Sequence, residues 1–423
     1  MEKSVKVLYS EYGRYISRFR ALPYNIDCLR PVERRVLLSL YLLAKNNFVK
    51  STNIIGNTMK YHPHGDASIY GTIAKLVKLN LINGQGNWGH EGKEKIPPAA
   101  HRYTEVKLDK DILNLGFNFI NYVPWSEIEF INEPLFIPSP IPIGLINNSK
   151  ETGNVNFGMA FHRTNIPYYT IDDLKKRLIF LLDKQPLAIK PKKQVIINPY
   201  VPGLKVISDK KESLRLLETG TGNISFIPDY ESNKQGYVIY GIPIKISKLK
   251  SFAEKNKLEL TDLSSKEIEL QLTGRNIDEK KFIESITSDV TFNCVLVGDD
   301  PFSFVNVFSI DFLLLNNYKS FSETVLNYHN EELNKINNNI SEYKYIKQIK
   351  KFLETKKIND IDKLIVLFNK DEQEIISKIL NKYNISHLIN VEINDEKLLK
   401  EKDETEYKIK NITDTVRNFV ENI

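Results

Sequence analysis

Two short polar segments, about forty residues apart, contain the residue types that phosphoryl transfer requires. The first reads Lys-Tyr-His-Pro-His at residues 60–64, and the second reads His-Arg-Tyr-Thr-Glu at residues 101–105. A phenol has a pKa of about 10, so Tyr103 attacks phosphorus at neutral pH only when a neighbour takes its proton and cations stabilise the transition state. Arg102 is such a cation, and its forked guanidinium suits a phosphate better than the point charge of a lysine. The spacing therefore predicts a tyrosine nucleophile.

The paired histidines of the first segment flank Pro63. Either His62 or His64 can hydrogen-bond a phosphate oxygen or assist proton transfer. A capping or packing role for one of them is the alternative. A His-x-His pair also occurs in metal sites, but no third ligand at a suitable spacing accompanies this one, so we predict no metal site here.

Composition is that of a soluble globular protein with two or three domains. The chain has 423 residues, of which 41% are hydrophobic and 26% charged. No apolar run approaches the roughly 18 residues of a membrane span, and the N-terminus has no signal-peptide core, so we predict a cytoplasmic protein. Cys28 and Cys294 are far apart in sequence and are expected to be buried thiols rather than a disulfide or zinc ligands.

Positive charge is concentrated around the predicted chemistry. Residues 1–107 contain 17 Lys and Arg against 8 Asp and Glu, whereas the whole chain has a net charge of +6. This distribution is typical of a protein that neutralises nucleic-acid phosphates. A solvated basic face would have the same composition.

Helices are expected where these charges lie. Pro31 suits the first position of a helix over 31–44, a second helix is plausible over 52–59, and Asp66 is a natural N-cap for a third. Helix, turn, helix and then a glycine-rich loop at residues 84–89 is the order of a winged-helix DNA-binding module.

The residue composition of the rest of the chain changes at two points. From about residue 127, Pro-rich and β-branched runs alternate with helical stretches at 172–183 and 210–218, which predicts an α+β domain. After residue 318, heptad-like apolar spacing at both ends encloses an apolar segment. This pattern predicts an antiparallel coiled-coil arm with a globular tip, or else a helical bundle packed on the body.

Four motifs occur in the order found in one enzyme family. They are the two segments above, Gly-Gln-Gly-Asn-Trp-Gly at 84–89, and Arg-Ala-Leu-Pro at 20–23 with Leu-Arg-Pro-Val-Glu-Arg-Arg-Val-Leu at 29–37. Together they resemble the breakage-reunion subunit of type IIA DNA topoisomerases, which is the A subunit in gyrase and the C subunit in topoisomerase IV. The resemblance implies an α+β multidomain fold: a winged-helix domain at 1–126, a tower at 127–317, and a coiled-coil arm at 318–423 whose helical tip closes a protein gate.

The same resemblance implies a role for individual residues. Tyr103 would form a 5′-phosphotyrosyl link, with Arg102, His62 and His64 at the cleaved phosphate. Ile166, in Asn-Ile-Pro at 165–167, would wedge between base pairs and bend the DNA. The expected phosphate-contacting cations are Arg20, Arg30, Arg34, Arg35 and Lys60.

The sequence has no Glu with Asp-x-Asp cluster for Mg²⁺ and no nucleotide-binding glycine loop. The resemblance implies that Mg²⁺ and ATP bind to a separate B-type subunit. The family's symmetry implies a homodimer within an A₂B₂ complex acting on double-stranded DNA.

The chain stops where a second coiled-coil helix would end, so the resemblance implies a short form without the β-pinwheel that wraps DNA. ATP-dependent relaxation and decatenation are then expected rather than negative supercoiling.

Two alternatives come from other classes. A non-catalytic winged-helix protein derived from such a subunit would bind and bend DNA without cutting it. A tyrosine recombinase would need an arginine, a His-x-x-Arg motif and a late nucleophilic tyrosine, but Tyr103 lies early in the chain and the sequence has no His-x-x-Arg. The Asn, Lys and Ile bias is typical of an AT-rich genome, either a phage, a mobile element or a low-GC bacterium.

Two departures from the family predict a drug response. Ala67 and Gly71 occupy positions where bacterial relatives usually have a serine and an acidic residue that anchor the quinolone water-metal bridge. We therefore expect weak sensitivity to quinolones.

Overall fold

The computed structural model describes residues 2–128, 131–152, 158–161, 164–183, 194–265, 267–298, 305–356, 364–383, 388 and 395–422. The chain divides into two compact units. One contains residues 1–321 and 418–423, and the other contains residues 322–417. Helices and antiparallel sheets occur together in the first unit, which confirms the mixed α and β composition expected from the sequence.

Helices dominate the N-terminal part of the first unit. They are α1 (Glu2–Ile16), a π-helical turn (Ser17–Ala21), α2 (Pro31–Leu43), α3 (Ser51–Tyr61) and α4 (Asp66–Lys78). Pro31 is the first residue of α2, and Glu33 caps the helix by accepting a hydrogen bond from the backbone N–H of Arg30 at 2.9 Å. Asp66 is the first residue of α4 rather than its N-cap, which is Gly65.

A small sheet closes this part of the fold. Its strands β1 (Val49–Lys50), β2 (Ile82–Gln85) and β5 (Glu105–Leu108) pair antiparallel in the order β1-β5-β2. A hairpin of β3 (His90–Glu91) and β4 (Lys95–Ile96) and a 3₁₀ turn (His101–Tyr103) connect β2 to β5. The predicted nucleophile therefore lies on the short turn that enters the central strand.

The middle of the chain forms two larger sheets. A five-stranded sheet has the order β10-β11-β16-β9-β8 and a four-stranded sheet the order β12-β13-β15-β14. Their strands are β8 (Gly158–Phe161), β9 (Thr164–Pro167), β10 (Leu204–Val206), β11 (Thr221–Pro228), β12 (Tyr230–Asn233), β13 (Gly236–Ile239), β14 (Glu259–Asp262), β15 (Leu270–Thr273) and β16 (Ser288–Asn293). Two hairpins flank them: β6 (Trp125–Ile128) with β7 (Ile131–Pro134), and β17 (Val295–Val297) with β18 (Val305–Val307).

Five helices of the described part of the chain lie between or next to these strands in the sequence. They are α5 (Lys110–Gly116), α6 (Ile171–Asp183), α7 (Lys210–Thr219), α8 (Ile246–Lys255) and α9 (Glu279–Ile286). The four-stranded sheet packs on α8 and α9 through a buried apolar cluster in which the rings of Tyr237 and Phe282 stack at 3.9 Å. One of the β-branched runs of this region, Val-Ile-Ile at residues 195–197, is not a strand, and the carbonyl of Val195 accepts a hydrogen bond from Arg177.

Long helices form the C-terminal part of the chain. They are α10 (Ile310–Lys356), α11 (Lys370–Lys382), α12 (Asp395–Lys410) and α13 (Ile412–Glu421). Within the second unit, the apolar segment that contains Leu364 and Phe368 packs with α11 against Ile346 and Ile349 of α10. The predicted apolar pattern of this region includes Ile389 and Ile423, which lie outside the described residues.

Both cysteines are buried, as the sequence predicts. Burial raises the pKa of the Cys294 thiol well above its ordinary value. The same effect, with the charge of Asp27 nearby, raises the pKa of Cys28. Both thiols therefore remain protonated at neutral pH and pack as small apolar side chains.

Candidate active site

Tyr103 is presented to solvent on the 3₁₀ turn. Tyr103 is 63% exposed, although tyrosine is a residue type of intermediate burial in folded proteins. The guanidinium of Arg102 lies over the Tyr103 ring, 4.7 Å from its centroid. An exposed phenol with a neighbouring guanidinium can meet a phosphate that approaches from outside the fold.

The turn is held against the start of α3. The backbone N–H of Ser51 donates to the carbonyl of Thr104 at 3.0 Å, and the two hydroxyls are 2.8 Å apart. His101 Nδ1 lies 3.1 Å from the hydroxyl of Thr52. Gly86 has a φ of +105°, and a Cβ there would lie 3.0 Å from the carbonyl oxygen of Tyr103, so a glycine lets the loop approach this closely. These contacts fix the backbone of Tyr103 while its side chain stays accessible.

A second cluster forms at the other end of α3. His62 is the C-cap residue of α3. Its ring lies edge-on to the ring of His64, with 4.6 Å between the two ring centroids. Arg35 Nη1 lies 3.0 Å from His62 Nδ1, and the other side of the same guanidinium makes two hydrogen bonds of 2.7 Å to Glu133. The cluster is therefore a carboxylate, a guanidinium and two imidazoles in contact.

The contact with Arg35 defines the tautomer of His62. A guanidinium has N–H donors and no acceptor, so Nδ1 of His62 must accept and the ring proton must be on Nε2. Burial, followed by the positive charges of Arg35, His64, Arg20 and Arg30, lowers the pKa of His62 from 6.5 to about 3. His62 is therefore a neutral hydrogen-bond donor at physiological pH rather than a general base.

This titration predicts how stability depends on pH. Because the folded-state pKa is depressed, the unfolded chain binds one more proton between pH 6.5 and about 3, and the stabilisation present above pH 6.5 is lost as the pH falls. The expected slope from this group is up to about 1.4 kcal/mol per pH unit. In His62→Gln, whose amide oxygen can still accept from Arg35, the slope between pH 6 and pH 4 should decrease by about 1 kcal/mol per pH unit.

Urea denaturation followed by tryptophan fluorescence measures this slope, since both tryptophans, Trp88 and Trp125, belong to the first unit. Parallel pH profiles for the two proteins would contradict the neutral, buried state of His62.

Two of the predicted cations share a cavity with this cluster. The cavity has a volume of about 430 Å³. Its lining includes the cationic side chains of Arg20, Arg35 and Lys60 together with His64 and several aromatic rings. Arg20 and Lys60 thus lie where a phosphate next to His64 would be neutralised.

Arg34 and Arg35, the other expected phosphate contacts on α2, are each paired with a carboxylate inside the protein. Arg34 is 8% exposed and its guanidinium binds both carboxylate oxygens of Asp27, at 2.7 and 2.9 Å. Arg35 is 4% exposed and is engaged by Glu133 and His62. Buried charges need such partners, because an unpaired ion inside a protein carries a large desolvation cost.

Ile166 is also placed differently from the expectation. It lies in β9 opposite Met159 of β8 and is fully buried in the five-stranded sheet. A wedge must be exposed to enter a base step. In this conformation Ile166 is a core residue, and its apolar surface is used for packing.

Arg30 is half-buried at the N-cap of α2. Glu33, three residues further along the chain, accepts a hydrogen bond of 2.8 Å from Lys75. Burial opposes the charge of Lys75, but Glu33 outweighs this effect and raises the pKa of Lys75. The ion pair of Glu33 with Lys75 thus links α2 to α4.

The predicted site residues form two groups within one chain. Arg102 and Tyr103 are anchored near Thr52, whereas His62 lies ten residues further along α3, or about 15 Å at the rise of an α-helix. Arg20, Lys60 and His64 belong to the His62 group through the shared cavity.

Sequence reasoning missed Glu133 and Asp27, the carboxylates that engage the two arginines. Asp27 lies seven residues before Arg34, so an acidic residue near the Arg-Arg pair was a weak signal. Glu133 is 98 residues from Arg35, and nothing in the local sequence indicates the contact.

Among the described residues, no group of three or more His, Cys, Asp or Glu side chains is arranged to hold a metal ion. The adjacent carboxylates Asp299 and Asp300 lie outside the described residues. The described helices also include none that is long and apolar enough to cross a membrane.

Comparisons with known proteins agree with the motifs. Residues 20–423 match the family model for the A subunit of DNA gyrase/topoisomerase IV. The DNA gyrase A subunit of Haemophilus influenzae is 30% identical over 334 residues, which are 71% of this chain and 37% of that protein. The DNA gyrase A subunit of Clostridium acetobutylicum is 31% identical over 266 residues, covering 59% of this chain and 31% of the relative. The DNA topoisomerase 4 A subunit of Haemophilus influenzae is 30% identical over 260 residues, covering 58% and 34%.

The chain thus spans about a third of the length of the curated relatives that it matches. The family model covers nearly all of the chain, including both clusters of the site. The chain is therefore a member of the DNA gyrase/topoisomerase IV A-subunit family.

Proposed function

We propose that this chain is the A-type subunit of a type IIA DNA topoisomerase that makes a transient double-strand break through Tyr103. The observation that carries the proposal is the exposed Tyr103 ring beside the Arg102 guanidinium, on a backbone fixed by α3. Membership in the gyrase/topoisomerase IV A-subunit family supports the same chemistry.

The reaction is an exchange of one phosphodiester for another. The phenolic oxygen of Tyr103 bonds to phosphorus as the bond from phosphorus to the 3′ oxygen breaks, and the phenolic proton passes through solvent to the leaving 3′ oxygen. Arg102 stabilises the negative charge that develops on the phosphate. Because the phosphotyrosyl link keeps the energy of the broken bond, the reverse attack by the 3′ hydroxyl rejoins the strand without an external energy source.

The second cluster supplies donors and cations for the DNA. The Nε2–H of His62 can donate to a non-bridging phosphate oxygen, while Arg20 and Lys60 neutralise neighbouring phosphates. His64 lies against His62 and would contact the same phosphate.

The domain roles follow from this function. Helices α3 and α4 with the small sheet would form the winged-helix DNA-cleavage domain at 1–126, the two larger sheets a tower at 127–317, and the long helices a coiled-coil arm and dimerisation tip at 318–423. We further propose a homodimer in an A₂B₂ complex, with Mg²⁺ and ATP bound by the B-type subunit. ATP-dependent relaxation and decatenation would be the outcome.

Reconstitution tests the proposal. The chain, combined with the B-type subunit from the same genome, ATP and Mg²⁺, should unlink catenated DNA circles, and neither protein by itself should do so. If the complex binds and bends DNA but unlinks no circles and forms no covalent adduct, the chain is instead a non-catalytic DNA-binding protein.

The cations of the cavity make a separate prediction. Each lysine or arginine that contacts a phosphate contributes about −0.9 to the slope of log K against log salt concentration. Lys60→Ala should therefore make this slope shallower by about one, because one fewer counterion is released. Lys378→Ala is the control, since Lys378 is an exposed residue of α11 in the other unit whose ion pair is with Glu374.

Fluorescence anisotropy with a labelled duplex at several salt concentrations measures both variants. Equal slopes for Lys60→Ala and the unmodified chain would remove Lys60 from the DNA interface.

A further inference from the structure

We propose that Glu133 is a positioning residue for DNA cleavage, which holds Arg35 so that Arg35 in turn orients the His62 imidazole with its Nε2–H toward the phosphate. The inference rests on the proposed function and assigns a role to a residue that belongs to a different part of the chain, the β6–β7 hairpin.

The contact between Glu133 and Arg35 is a bidentate fork. Oε2 of Glu133 accepts from Arg35 Nε and Oε1 accepts from Arg35 Nη2, both at 2.7 Å. The side chains are 9% and 5% exposed, respectively. A planar guanidinium bound by two parallel hydrogen bonds has a defined orientation as well as a defined position.

That orientation directs the remaining nitrogen of Arg35 at His62. With Nε and Nη2 bound to Glu133, Nη1 lies 3.0 Å from His62 Nδ1. Since Arg35 can only donate, this contact puts the imidazole proton on Nε2 and turns the ring to a fixed angle. The carboxylate also compensates the charge of Arg35, so the cluster buries a cation without leaving it unpaired.

A neighbouring pair provides a matched control within the same helix. Arg34 and Asp27 form an equally buried fork, at 2.7 and 2.9 Å. The other bonds of Asp27 are with the backbone N–H groups of Leu29 and Ile137. This pair therefore shares the buried ion-pair chemistry of Glu133 and Arg35, and its described hydrogen bonds involve no histidine.

The experiment compares Glu133→Gln with Asp27→Asn in the full chain labelled with ¹⁵N-histidine. NMR spectra of the ring nitrogens report the tautomer, and trapping with the B-type subunit, Mg²⁺ and plasmid DNA reports the rate of adduct formation. In the unmodified chain we expect His62 as the Nε2–H tautomer alone. In Glu133→Gln we expect a mixture of tautomers and adduct formation slower by about tenfold, because the imidazole donor is no longer held at one angle.

Asp27→Asn should lower the urea midpoint, as breaking a buried pair does, but should keep the His62 tautomer and an adduct rate within about twofold of the unmodified chain. If Glu133→Gln does not accumulate as folded protein, the double variant Arg35→Met with Glu133→Leu gives the same comparison, because it leaves no buried unpaired charge. An unchanged His62 tautomer or an unchanged adduct rate in the Glu133 variant would overturn the proposal.

The two readouts separate this inference from the function on which it rests. An unmodified complex that forms no adduct would overturn the proposed function and with it the role of Glu133 in cleavage. An unmodified complex that forms adduct at the same rate as Glu133→Gln would overturn the positioning role alone.

Discussion

Replacing Tyr103 with phenylalanine is expected to abolish the covalent protein–DNA complex, with a loss of strand passage of at least about a thousandfold. In the proposed mechanism the phenolic oxygen is the nucleophile, and phenylalanine has no atom in its place that can bond to phosphorus. Duplex binding should be retained, because the cations of the cavity are untouched. The fold should also be retained, since the Tyr103 side chain is 63% exposed. The measurement is the amount of adduct trapped by denaturing the reconstituted complex on labelled DNA.

Tyr407→Phe is the control for this substitution. Tyr407 is 69% exposed and belongs to the second unit, so the loss of its hydroxyl should leave adduct formation unchanged. Persistence of the adduct in Tyr103→Phe would assign the chemistry to another residue.

The second large effect concerns quinolones. The unmodified enzyme should resist concentrations that poison bacterial relatives, because Ala67 and Gly71 lack the hydroxyl and carboxylate that anchor the drug through Mg²⁺ and its bound waters. Both residues are exposed and lie one turn apart on α4. A Cβ added at Gly71 meets no atom within 4 Å, so the double variant Ala67→Ser with Gly71→Glu should fold normally.

This double variant should form drug-stabilised cleavage complexes at quinolone concentrations at least tenfold lower, since a charge-assisted hydrogen bond contributes about 1.5–3 kcal/mol. Gly71→Ala is its control. It should add about 0.5–1 kcal/mol of stability to α4 and leave drug sensitivity unchanged. Poisoning of the unmodified enzyme at ordinary bacterial drug concentrations would refute the prediction.

Individual helices could be predicted from the sequence because the residues that start, end and pattern a helix are neighbours in the chain. Pro31 and the apolar spacing after it predicted a helix over 31–44, and α2 is Pro31–Leu43. The predicted helix at 210–218 is α7, Lys210–Thr219. In each case, capping residues and helical periodicity lie within a few residues of each other.

Partners of the charged residues could not be predicted in the same way. A run of basic residues indicates phosphate binding equally well whether its guanidinium groups are exposed or buried. For Arg35 the outcome depends on Glu133, which the fold brings back from 98 residues away. For Ile166, a motif match predicted an exposed wedge, while the pairing of β9 between β8 and β16 buries the side chain. Both results depend on tertiary packing rather than on local pattern.

Peptide mapping of the trapped intermediate tests the central claim most directly. The reconstituted complex is denatured during cleavage, digested with nuclease and protease, and analysed by mass spectrometry for peptides that retain a nucleotide. We predict a nucleotide esterified to the hydroxyl of Tyr103, in the peptide that also contains Arg102 or begins directly after it. A nucleotide on any of the other tyrosines, or on a serine, would contradict the account.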